Sequence, residues 1–212
     1  MNRALIYTLL FLFTFITPVM AQSDAEALLQ KTVSRLEKDG DITALLKIDI
    51  SDENGTNSYD ISLKKSNAGF YAQEDEFSIW FDGKTMWRGN DFGYGIEEIY
   101  ISELLAEEKG RFDIIRLLKE HKDFSVSSTG NDNFTLTASN PEKSVEGISG
   151  ITMRFDPKTF IIKTIRIIFA QEFGNISANV QVIDYKPDQK FDRKIFTCPV
   201  ADYGNADIID LR

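Results

Sequence analysis

The sequence of 212 residues contains one cysteine and one histidine, and that scarcity excludes much of the chemistry side chains perform. Cys198 has no second cysteine to pair with, so no disulfide within the chain can staple the fold, and it reads as a small apolar residue buried in a strand. With His121 as the only imidazole, neither a histidine-based triad nor a histidine-rich metal cluster has the residues it needs. No G-x-S-x-G, H-E-x-x-H or Walker loop is present. Gly93-x-Gly95 lacks a third glycine and follows a hairpin instead of opening a helix, which excludes dinucleotide binding. Asp52-x-Asn54-Gly55 resembles the middle of a calcium loop, but Ile50 and Ile61 occupy the first and twelfth ligand positions. The pairs Glu97-Glu98 and Glu107-Glu108 read as solvated edges. Positive charge is also short, with 24 Lys and Arg against 33 Asp and Glu for a formal net charge of −9 spread along the chain. A phosphate backbone or an anionic membrane surface rewards clustered cations, so nucleic acid is not an expected partner. No metal and no cofactor is implied, and the chain is not expected to be an enzyme.

The sequence begins with one positive residue, Arg3, followed by an apolar run from Ala4 to Ile16 and then Val19-Met20-Ala21. That order of charged, greasy and small residues predicts a secretory signal peptide over 1–21, and the run is shorter than the ~20 residues a membrane span needs. No cysteine follows the cleavage site, so residues 22–212 are expected to form a single soluble domain outside the cytoplasm, and the short charged start suits a bacterial periplasm. A capping box at Ser23 and Glu26 opens a predicted helix with Ala25, Leu28, Leu29, Val33 and Leu36 on one face, ended by Gly40. The period then changes to two. Ile42, Ala44, Leu46, Ile48 and Ile50 alternate with polar residues, Asn54-Gly55 turns the chain, and Tyr59, Ile61 and Leu63 continue the alternation.

Next comes a hairpin in which Phe77, Ile79 and Phe81 lead into Asp82-Gly83, read as a type I′ turn, and Lys84 to Arg88 return. The hairpin is read with Trp80 and Trp87 on opposite faces. A short strand from Glu98 to Ile101 follows the Gly89 to Gly95 loop. Phe112, Ile115 and Leu118 then recur at helical spacing, with Ile114 and Leu117 widening the apolar face. Later strands are read at Phe124, Phe134, Ile151 to Phe155, Phe160 to Phe169 (the longest apolar strand, with Ile165, Ile167 and Phe169 on one face and Ile162 and Ile168 on the other), Ile176 to Tyr185 and Ile195 to Cys198. Ten to twelve short strands joined by hairpins, with two or three helices, predict a mainly β, α+β fold. Such a sheet has more apolar area than the helices can cover. Whether the surplus closes into a core or stays free for an apolar ligand is left open by the pattern.

Asp82-Gly83-Lys84-Thr85-Met86-Trp87, followed by Glu98-Ile99-Tyr100-Ile101, resembles the D-G-K-T-L-W…Q-V-T signature of the periplasmic outer-membrane lipoprotein carrier family, LolA. Leu63-Lys64-Lys65-Ser66-Asn67 is similar to its V-K-R-P-N segment, and Phe196-Thr197-Cys198-Pro199 to its F-x-F-x-P ending. Phe155-Asp156 and Ile165 to Phe169 fit its late strands. The resemblance implies an unclosed antiparallel β-barrel with a helical lid on a concave apolar face. It implies a chaperone for protein transport in outer-membrane biogenesis. Such a carrier takes acylated lipoproteins from an inner-membrane lipoprotein export complex and hands them to an outer-membrane acceptor, working as a monomer. An alternative on the same scaffold is a lipid-binding sensor or binding module. Candidates for the acyl-chain cavity are Leu46, Ile48, Ile61, Leu63, Ile79, Phe81, Trp87, Ile99, Ile101, Phe112, Ile115, Leu118, Ile165, Ile167 and Phe169. Lys65 stands where the family carries a lid-fastening Arg, and Ser66 where it carries Pro. An ammonium lacks the planar fork of a guanidinium, so a weaker latch is expected. The Gly89 to Gly95 segment is longer than the family pattern, and the acidic Asp-Ile-Ile-Asp-Leu-Arg end has no counterpart in it.

Overall fold

The computed structural model describes residues 17–103, 118–119, 123–140, 148–171 and 175–212. Helix α1 (Thr17–Lys38) carries Ala25, Leu29, Thr32 and Val33 fully buried along one stripe, the spacing a helix needs to seat one face on a sheet. The helix starts before the predicted Ser23 cap, so that Ser23 lies inside it. Pro18 falls in its first turn, where a missing N–H leaves no bond unmade. Gly40 ends it as predicted, with φ +60, a conformation only glycine adopts without cost.

Twelve strands follow: β1 (Asp41–Asp52), β2 (Gly55–Ser66), β3 (Gly69–Gln73), β4 (Phe77–Phe81), β5 (Thr85–Asp91), β6 (Ile96–Glu103), β7 (Phe124–Ser127), β8 (Asn133–Ala138), β9 (Ile148–Phe155), β10 (Ile162–Phe169), β11 (Ser177–Gln189) and β12 (Asp207–Asp210). They form one sheet in the order β12-β6-β5-β4-β3-β2-β1-β11-β10-β9-β8-β7. Every neighbouring pair is antiparallel except β12 on β6, which is parallel. The two end strands do not pair with each other, so the sheet is an unclosed barrel.

Four local predictions are corrected. The central hairpin does not turn on Asp82-Gly83: Phe81 pairs with Met86, and Gly83-Lys84 are the central residues. Only Gly83 has positive φ, at 93°, which is the type II′ pattern, while the Asp82 carboxylate accepts from the backbone N–H of Lys84 and Thr85 at 2.9 and 2.8 Å. Ile195 to Cys198 is not a strand. Arg193–Phe196 is a 3-10 turn, begun by the Asp192 carboxylate accepting from Lys194 N–H at 3.0 Å, and Val200–Asp202 is another. The apolar strand read from Phe160 to Phe169 begins at Ile162. Phe160 sits at φ +57 in a turn organised by Asp156, whose carboxylate accepts from Lys158 and Thr159 N–H. A register shift between Ile162 and Thr164 then returns Ile162 to the face that carries Ile165.

The sheet is covered on opposite faces at its two halves. On the face called inner here, α1 lies against β7 and β8, and its Leu29 and Val33 pack with Phe134, Leu136, Ile151, Met153 and Phe155. At the other half, the C-terminal segment crosses the outer face. Cys198, Val200 and Tyr203 cover Trp80, Trp87, Ile99 and Ile101, and the Trp80 and Tyr203 rings lie 6.1 Å apart. After this strap the acidic end pairs Ile208 with Ile99 and Ile209 with Tyr100 as β12.

Candidate functional site

Cross-strand register carries the inner face from the helix-covered half into the other. Met153 opposes Ile165, which opposes Val180; Val180 opposes Ile48, which opposes Tyr59. One row along, Val182 opposes Leu46, which opposes Ile61. Ala44 opposes Leu63, then Ala72 and Ile79 follow, and Lys65, Phe70 and Phe81 form the next row. Nine of the predicted cavity residues therefore share this face: Leu46, Ile48, Ile61, Leu63, Ile79, Phe81, Ile165, Ile167 and Phe169. All nine are half-buried. A cavity of about 260 Å³ opens on the face where α1 ends. Its floor is Ala44, Leu46, Leu63, Ile165, Val180 and Val182, and its walls are Leu36 of α1, Ile42 and the Phe160 to Ile162 turn.

Polar groups gather at one end of the cavity: Asp39, Tyr185 and Lys65. Asp39 is almost fully buried, at 3% exposure, and two neighbours compensate its charge. Arg35 Nε lies 2.8 Å from Asp39 Oδ1, one helical turn away, and the Tyr185 hydroxyl donates to Oδ2. Burial first, and then the bond to Asp39, hold the Tyr185 hydroxyl far above the ordinary tyrosine value, so it stays a donor at every physiological pH. Lys65 is half-buried and, among the described residues, has neither an ion-pair nor a hydrogen-bond partner. Lys64, one residue earlier, points to the other face and sits over the Tyr71 ring.

Trp87, Ile99 and Ile101 are not part of this surface. Trp87 pairs with Trp80 and Ile101, and all are buried on the outer face beneath the C-terminal strap. The two tryptophans, predicted on opposite faces, are direct cross-strand partners on one face. Leu118 is fully buried in the core cluster that α1 joins and does not line the cavity, whereas Phe112 and Ile115, like His121, lie outside the described residues. Whether Lys65 meets the segment it was predicted to fasten falls outside them too. Cys198 is buried as predicted but in the strap, and burial pushes its thiol up to about 12.

The sequence reading passed over Asp39, Tyr185, Val180, Val182 and Phe160. Arg35 and Asp39 at i, i+4 before a helix-ending glycine, and Val180 and Val182 alternating in β11, were the available signals. Among the described residues, no group of three His, Cys, Asp or Glu could hold a metal ion, and no helix is long and apolar enough to cross a membrane.

No protein-family model and no curated protein matches the sequence. Among solved structures, an uncharacterized conserved protein from Thermus thermophilus is similar at a TM-score of 0.53 and 12% identity, covering 85% of this chain and 98% of that one, which shows the fold. A LolA superfamily protein from Nitrosomonas europaea is similar at a TM-score of 0.44 and 13% identity, covering 84% of this chain and 98% of that one. The MucA/MucB complex of Pseudomonas aeruginosa contains a chain similar at 0.48 and 11% identity, covering 84% of this chain and 62% of that one.

Proposed function

We propose that this chain is a periplasmic carrier that holds the acyl chains of a lipoprotein against the inner face of its open sheet. In this reading it moves them from an inner-membrane export complex to an outer-membrane acceptor. The observation that carries the reading is the continuous half-buried apolar stripe that runs from the cavity at the end of α1 through Leu46, Ile61, Leu63 and Ile79 to Phe81. The sequence resemblance of the Asp82 to Trp87 hairpin supports the choice of cargo. The energetics suit it: at about 0.8 kcal/mol per buried CH₂, one long acyl chain in water costs roughly 10 kcal/mol, so a carrier needs dry area and no covalent chemistry. A cavity of about 260 Å³ falls just below the ~300–1,000 Å³ of sites that enclose a drug-sized ligand. It takes part of one chain, and the remainder lies along the stripe.

Residues 1–21 are a leader in this reading. Cleavage after Ala21 would trim the first turn of α1 and leave its sheet-packing residues in place, and N-terminal sequencing of the periplasmic protein checks it. The function is tested by titrating the protein with the apolar fluorophore N-phenyl-1-naphthylamine and then adding an acylated peptide. One saturable site, emptied by the acylated peptide and untouched by the same peptide without its chain, is expected. Absence of saturable binding would show that the inner face is simply core.

A further inference from the structure

Lys65 sits at the junction of the apolar floor and the polar end of the cavity, and its charge has no counterpart there. Leu63 and Lys65 are two residues apart on β2, so both face inward, and Lys65 stands between Ile42 on β1 and Phe70 on β3. The acidic residue among those lining the cavity, Asp39, already answers to Arg35 and Tyr185. The carbonyls at the end of α1 add partial negative charge near Gly40, and Arg35 and Lys38 in the last turn offset it. Lys65 is therefore a half-buried side chain in a mostly apolar pocket whose ammonium keeps access to solvent and has no partner among the described residues, an arrangement that a bound anion would complete.

The geometry points to an anion-headed single-chain amphiphile as a ligand of this cavity, its chain on Leu46, Leu63, Val180 and Val182 and its head on the Lys65 ammonium. The inference rests on the acyl-carrier reading and goes further by making the head, and not only the chain, a determinant of binding. A carboxylate and a phosphate head share the required chemistry, so a free fatty acid and a phosphate-headed lipid are both candidates.

Calorimetric titration of the full-length mature protein with dodecanoate, dodecyl phosphate and dodecanol, with thermal unfolding of each variant to confirm folding, tests it. Dodecanoate, dodecyl phosphate or both should bind on the order of tenfold more tightly than dodecanol, the scale of one charge-assisted bond, and the stronger of the two names the head. Lys65→Met should erase that preference, bringing dodecanoate and dodecyl phosphate to the affinity of dodecanol, and Lys65→Arg should keep it. If all three bind the natural protein equally, the inference fails while the carrier reading stands. If Lys65→Met weakens or strengthens all three alike, Lys65 acts on the cover of the cavity and not on the head, which also overturns the inference. If none binds, the carrier reading fails with it.

Discussion

The two halves of the sheet use the same alternating pattern to opposite ends. In β7 to β10 the inner residues Phe134, Leu136, Ile151 and Met153 are sealed under α1. In β3 to β6 the sealed residues are the outer ones, Trp80, Trp87, Ile99 and Ile101, under a strap that includes Cys198 and Tyr203. Each half stabilises itself by one face. Between the two seals the inner face is left half-buried, and the candidate site lies there, its cavity on β1, β2, β10 and β11 and its stripe reaching β4. An open sheet with its covers on opposite faces gains a binding surface without sacrificing a core, because the area that must be buried for stability and the area reserved for a ligand are different areas.

Breaking either seal should be costly, and disturbing the stripe should not. Phe134→Ala, in the helix-covered half, is expected to lose about 3–5 kcal/mol in urea unfolding, since the ring is fully buried and lies tilted 6.0 Å from the Phe155 ring. Ile99→Ala, under the strap, is expected to cost about 2–5 kcal/mol. It should also raise the labelling rate of Cys198 by an aromatic disulfide reagent at pH 8. In the native protein that rate is expected to be negligible, because a thiol pushed up to about 12 is almost wholly protonated there and is covered besides. An Ile99→Ala protein as inert as the parent would show that the strap is not held by the outer face. Ile61→Asp, on the half-buried stripe, is expected to change stability by about 1 kcal/mol or less, but to reduce fluorophore affinity tenfold or more. A loss of stability as large as that of Phe134→Ala would assign Ile61 to a core.

Much of the fold was legible because its signals are local. Gly40 ended α1, the alternation marked β1, β2 and β9, and the hairpins gave an antiparallel sheet of ten to twelve strands. Positions set by distant partners were not legible. Ile195 to Cys198 alternates as a strand would, but Asp192 caps it into a 3-10 turn, and β12 is an acidic end that becomes a strand only by adding to β6 in parallel. Within the site, Leu46, Leu63 and Ile165 followed from parity along single strands, whereas Asp39 and Tyr185 meet across 146 positions of sequence. The misplacement of Trp87 was avoidable. In any antiparallel pair joined by a two-residue loop the numbers of opposed residues sum to an odd value, so an even and an odd residue share a face, as Trp80 and Trp87 do. Ile99 and Ile101 needed the structure, since the long loop and the register shift after Asn90 hide their parity.

The division of labour between faces is tested most directly by following tryptophan emission while a non-fluorescent acylated peptide is titrated against the parent protein and Ile61→Asp, with binding read independently by calorimetry. Both tryptophans lie under the strap on the outer face, so the account predicts saturable heat with an unmoved emission maximum in the parent, and heat that saturates at a tenfold or greater concentration in Ile61→Asp. A saturable emission shift that survives in Ile61→Asp would place the ligand on the outer face and contradict it.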